Sequence, residues 1–124
     1  SVMKPLCEIV FNLPCDFERI RIMKLLSGKA LKKHTDNIDN DIKNKKIIRL
    51  HIPIRTNNDV IFTLYNNAED KAGEEINLKT GHYYYLDVTK PHSVSNKSSV
   101  DRYHLVVDCF VNDELKALLH NFTP

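Results

Sequence analysis

The sequence predicts a mostly β fold, a double-sheet jelly roll or cupin-type barrel with a short C-terminal helix. Short segments rich in Ile, Val, Leu, Phe and Tyr, with alternating polarity, recur between clusters of Asn, Asp, Gly, Lys and Pro. About eight of them share 124 residues, a density that suits two packed sheets better than an open one. Helical spacing occurs once, at the C-terminal end.

The expected strands, in order, span residues 8–12, 19–26, 46–56, 60–66, 75–77, 82–87, 92–96 and 102–111. In each, β-branched and aromatic residues alternate with polar ones, and Tyr83 to Tyr85 read as strand packing for the same reason. The stretch "NDELKALLHNF" sets Leu115, Leu118, Leu119 and Phe122 on one helical face, with Asn112 as N-cap, and is expected to pack outside the barrel. The polar run "KKHTDNIDND" reads as a loop, and residues 36–46 are expected to form a flexible loop at the barrel mouth.

Composition restricts the setting. With 42% hydrophobic residues the chain can bury one core, which implies one domain over residues 1–124. A formal charge of +2 and scattered lysines give no basic stripe for nucleic acid. No apolar run approaches the roughly 20 residues that a bilayer span requires. Cys7, Cys15 and Cys109 lack paired spacing, so they read as free thiols in a reducing, cytoplasmic compartment. His82 and His120 read as surface residues.

Strand alternation singles out a second group of residues. In "IIRLHIPIRT" Arg49, His51 and Pro53 share one face and Leu50, Ile52 and Ile54 the other; in "DRYHLVVDCF" Arg102, His104 and Val106 oppose Tyr103, Leu105 and Val107. Two strands thus each carry an Arg-x-His face backed by an apolar one. On a simple sandwich these faces meet solvent. Inside a ligand-enclosing barrel, two inward arginines need an anion to offset their desolvation, and a dicarboxylate suits the two-pronged guanidinium. His34 and Asp36, two apart in "KKHTD", together with His92 after "LDVTKP", offer two imidazoles and a carboxylate. That ligand set leaves open positions on an octahedral Fe(II) for O2 and a bidentate cosubstrate. His104 is read equally as a donor supporting the site or as a satisfied core histidine.

Taken in order, "KKHTD", "RLHIPIRTN", "YYYLDVTKPHSVSN" and "DRYHLVVD" resemble the aspartyl/asparaginyl β-hydroxylase family of Fe(II)- and 2-oxoglutarate-dependent oxygenases, from about Arg19 to about Asp113. The resemblance implies a double-stranded β-helix with iron on His34, Asp36 and His92. It implies that Arg102 binds the distal carboxylate of 2-oxoglutarate, with Arg49 and His51 beside the cosubstrate. It further implies hydroxylation of an amino acid, or of an Asp, Asn or Pro residue in a peptide or protein, coupled to oxidative decarboxylation of 2-oxoglutarate. Animal members lack the carboxylate matching Asp36, so the chain looks closer to the bacterial branch, although it reads Thr56-Asn57-Asn58 where that branch often has "TNP". It also looks shorter at its N-terminal end than such enzymes, whose flanking segments close over the substrate. The rival readings are a non-catalytic cupin-like small-molecule binding module, which leaves the triad unexplained, and a cupin of another metal chemistry, which usually uses more histidines.

Overall fold

The computed structural model describes Leu13, residues 15–36 and residues 47–120, the last three by backbone only. Among the described residues eight strands and one helix follow in order: β1 (Phe17–Leu25), β2 (Ala30–His34), β3 (Ile47–Arg55), β4 (Val60–Leu64), β5 (Glu74–Ile76), β6 (Tyr84–Tyr85), β7 (His92–Asn96), β8 (Arg102–Phe110) and α1 (Asp113–His120). They form two four-stranded sheets, ordered β1-β8-β3-β6 and β2-β7-β4-β5, with every neighbouring pair antiparallel. This is the expected jelly-roll architecture.

The long strands β3 and β8 lie at the centre of the first sheet and sort their side chains by parity. Ile48, Leu50, Ile52, Leu105, Val107 and Cys109 face outward and form one buried cluster with Leu13 and with Leu115 of α1. Fully burying a side chain such as Leu50 stabilises the fold by about 1.5–3 kcal/mol. The opposite parity carries Arg49, His51, Arg102, His104, Val106 and Asp108 inward; the register sets Arg49 beside Asp108 and His51 beside Val106. A second cluster, including Leu25, Val60, Phe62 and Val94, closes the remaining interior.

Helix α1 starts as expected. The Asn112 side-chain oxygen accepts a hydrogen bond from the Leu115 amide at 2.7 Å, and Asp113 and Glu114 occupy the first turn, where acidic groups complement the helix dipole. Of its expected apolar face, only Leu115 has a described side chain, and it is fully buried.

Gly28, at φ +73°, supplies the left-handed residue of the turn that carries β1 of one sheet into β2 of the other. Asn96 holds that turn in place. Its side-chain amide donates to the Leu25 and Val100 carbonyls, and its side-chain oxygen accepts from the Ser98 amide and hydroxyl. The buried Asn96 thereby ties the β1–β2 turn to the loop that delivers Arg102.

Several elements differ from the sequence expectation. Ala30–His34, read within a polar loop, is an edge strand; four of its five residues are exposed, so the apolar pattern that marks a half-buried strand is missing. The segment expected over 82–87 contracts to Tyr84–Tyr85, and the one expected to begin at residue 19 begins at Phe17. The expected strand 8–12 and the mouth loop beyond Asp36 lie outside the described residues, as does the Cys7 thiol. Cys15 and Cys109 are free, and His82 is exposed. No helix among the described residues is long and apolar enough to cross a membrane.

Candidate metal centre

The two sheets enclose a cavity of about 180 Å³ lined by His34, Asp36, Arg49, His51, His92, Arg102 and His104, with Arg21, Met23, Leu31, Phe62, Val94 and Val106 completing its wall. The structure therefore brings all seven sequence-predicted site residues to one cavity. His34 ends β2 and His92 opens β7, directly opposite one another in the ladder. Asp36 follows β2, fixed by its amide donating to the Val88 carbonyl at 2.9 Å. One ligand atom from each of the three lies within 4.8 Å of the others.

The orientation of these groups carries more than their proximity. The Nδ1 atoms of His34 and His92 lie 2.6 and 2.9 Å from the carbonyl oxygens of Lys32 and Lys90. A carbonyl only accepts, so Nδ1 carries the proton and donates, and in the neutral ring Nε2 is left as a lone pair. Both Nε2 atoms stand 3.4 Å from Asp36 Oδ1. With both rings neutral, three acceptors would converge with no proton between them, an arrangement that a cation relieves. Phe62 stacks on the His92 ring at 5.4 Å between centroids, fixing its plane.

Asp36 is held from its other side. Arg49 Nη1 donates to Asp36 Oδ2 at 2.5 Å, while its Nε and Nη2 grip Asp108 at 2.7 and 3.0 Å. Burial pushes the Asp36 carboxyl up, but a hydrogen bond and positive charge from His92, in the form that carries a proton on Nε2, together with Arg49 outweigh it and hold the group at about 2. Asp36 is therefore anionic, with Oδ2 taken by Arg49 and Oδ1 turned toward the two histidines. The anions that Arg49 needs come from within the chain.

Arg102 differs. It is 5% exposed, its Nε has no hydrogen-bond partner, and burial alone lowers its pKa to about 10. His104, 2% exposed, has two unpartnered ring nitrogens, and His51 has an unpartnered Nε2. Burial, followed by neighbouring arginines, pushes His51 down to about 3 and His104 to about 2. Both rings are neutral at physiological pH, and each keeps a buried ring nitrogen without a hydrogen-bond partner among the described residues.

Those two histidines also predict an acid response. Their folded pKa values lie below the unfolded value of 6.5, so the unfolded chain binds more protons as pH falls. Their contribution is fully present above pH 6.5 and is lost as pH drops toward 3, each histidine costing about 1.4 kcal/mol per pH unit within that window. Asp36 adds its own loss only between 3.8 and about 2. Urea midpoints measured at pH 7 and pH 5 should show this fall, and His104→Gln should roughly halve the slope. A flat profile over that range would contradict the buried, neutral state of the pair.

Sequence reasoning passed over Asp108, Phe62 and Arg21. Asp108 sits inside the apolar run "VVDCF", two residues past Val106 on the inward face, and a carboxylate in a buried strand signals a buried cation. Phe62 carries no signal beyond strand propensity.

Two solved structures share the fold. A predicted oxalate decarboxylase from Thermotoga maritima superposes with a TM-score of 0.52 at 17% identity, over 84% of this chain and 73% of its own. The non-heme monooxygenase ThoJ, in its nickel complex, gives 0.54 at 16% identity over 74% of this chain, which spans only 42% of ThoJ. No curated protein matches the sequence. The profile of the aspartyl/asparaginyl β-hydroxylases, by contrast, matches residues 2–111, nearly the whole chain, and the chain belongs to that family.

Proposed function

We propose that the protein is an Fe(II)- and 2-oxoglutarate-dependent hydroxylase acting on an amino acid, or on an Asp, Asn or Pro residue of a peptide or protein. The observation that carries this reading is one cavity holding three convergent metal-ligand atoms and, along its wall, the buried Arg102, which has no ion pair with a carboxylate among the described residues. The donor set suits iron: two imidazole nitrogens and one carboxylate occupy one side of an octahedron and leave the other open.

His34 and His92 would hold the ion through Nε2 and Asp36 through Oδ1. Fe(II) in this setting, with O2 and 2-oxoglutarate, supplies the oxidising power that yields succinate, CO2 and one hydroxyl group on an unactivated carbon. The rest is the work of the chain. Arg49 orients Asp36 and offsets its charge, so the ligand field stays fixed as the site fills. Arg102 anchors the far carboxylate of the cosubstrate, and His104 and His51 line the path from there to the triad with neutral donors. Phe62, Val94 and Val106 keep that path dry.

The direct test is aerobic incubation with Fe(II), 2-oxoglutarate and an amino-acid panel. The expected result is succinate formation matched by a one-oxygen mass gain in one member. Binding of 2-oxoglutarate with no turnover on any amino acid or peptide would instead favour a non-catalytic binding module.

A further inference from the structure

Strand β1 inverts the usual polarity of a sandwich strand. Its apolar residues Ile20 and Ile22 face outward, 45% and 50% exposed, while Arg21 faces the cavity. Among the described residues β1 and β2 are edge strands of their sheets, and Met23 of β1 and Leu31 of β2 both line the cavity and are 39% and 43% exposed, so we read its mouth as lying between these strands.

Arg21 is half-buried, and its Nε is buried without a hydrogen-bond partner. Its neighbours make that position costly. Arg49 and Arg19 repel it, and the nearby carboxylates Asp108 and Asp36 are both committed to Arg49. The register pairs Arg21 with Val106, whereas Arg102 lies four residues further along β8, roughly 13 Å away. A small dicarboxylate that spans from Arg102 to the triad therefore leaves Arg21 for a different anion. That anion would enter at the mouth, beside the triad end of the cavity, with Met23 and Leu31 as its apolar surroundings.

We propose that Arg21 binds the carboxylate of the primary substrate, and that this substrate is a small free amino acid with an apolar side chain that lies against Met23 and Leu31. The inference rests on the hydroxylase reading above and specifies its substrate class. A guanidinium gives a carboxylate two parallel hydrogen bonds, and the other end of the ligand meets apolar wall. Arg21 acts by holding substrate and takes no part in metal binding.

The test is calorimetry on Ni(II)-loaded protein in two arms. In the first, 2-oxoglutarate is titrated into wild type and Arg21→Met; equal affinities are expected. In the second, L-leucine, L-isoleucine, L-methionine, L-proline, L-aspartate and L-leucinamide are titrated with and without 2-oxoglutarate. At least one apolar acid should bind wild type, with L-leucinamide weaker than L-leucine by roughly 30-fold or more. Arg21→Met should weaken the acid by a similar factor and leave the amide unchanged, and Arg21→Lys should recover part of the loss. The proposal is overturned if Arg21→Met binds the acid like wild type, if acid and amide bind wild type alike, if L-aspartate is preferred, or if no apolar acid binds. Failure of wild type to take up 2-oxoglutarate would instead remove the hydroxylase reading, while the titrations without cosubstrate still decide Arg21.

Discussion

Replacing Arg102 by alanine should raise the dissociation constant for 2-oxoglutarate by roughly 30-fold to several thousand-fold, the consequence of losing about 2–5 kcal/mol when one member of a buried charge pair is truncated. The guanidinium sits almost wholly out of water with an unpartnered Nε, so the wild-type site is built around an anion that Arg102→Ala can no longer hold. Calorimetry with Ni(II)-loaded protein reads the change directly, and metal affinity should stay near wild type because no triad residue contacts Arg102. Lysine at this position should restore only part of the affinity, since it keeps the charge and loses the two-pronged geometry. An Arg102→Ala protein with wild-type affinity would sink the assignment of the cosubstrate site.

Asp36→Ala should weaken Fe(II) or Ni(II) binding by roughly 100-fold or more, beyond the 10- to 100-fold typical of groups that only support a ligand. Two effects add. The triad loses its one carboxylate, and Arg49 Nη1, which now donates to Asp36 Oδ2, loses that partner beside the metal position and leaves Arg49 paired with Asp108 alone. Calorimetric titration of the metal, and succinate formation at saturating 2-oxoglutarate, should fall together. Unchanged metal affinity in this variant would return Asp36 to a purely structural partner of Arg49.

The parts of the fold that position the site were legible where alternation was strong. In β3 and β8 one parity carries Leu50, Ile52, Leu105 and Val107 and the other carries Arg49, His51, Arg102, His104 and Asp108 among fewer apolar residues, so the parity that sends Leu50 and Val107 under the helix also sends Arg49, His51, Arg102 and His104 inward. The helix start was legible because an N-cap is a local interaction between neighbouring residues. Strand β2 was not, because an edge strand with exposed lysines owes its conformation to pairing with β7, which no local pattern records. The Asp108–Arg49–Asp36 chain was hidden for a related reason: its members come from three separate segments, and only the sheet register sets Arg49 between the two carboxylates. Arg21 was read past because "RIRIM" looks like an amphipathic strand with its isoleucines inward, whereas a ligand-lined interior reverses that rule.

The ladder between β2 and β7 breaks register between Leu31 and His34, and among the described residues β2 pairs with β7 alone. His34 and His92 face each other just past that break, so an ion shared by them would rivet the loose end of the outermost strand to the strand beneath it. Occupancy of the centre would then govern more than chemistry. With the rivet in place the mouth between β1 and β2 keeps its width. Without it the end of β2 can peel away, spreading Leu31 from Met23 and presenting an open sheet edge to other chains.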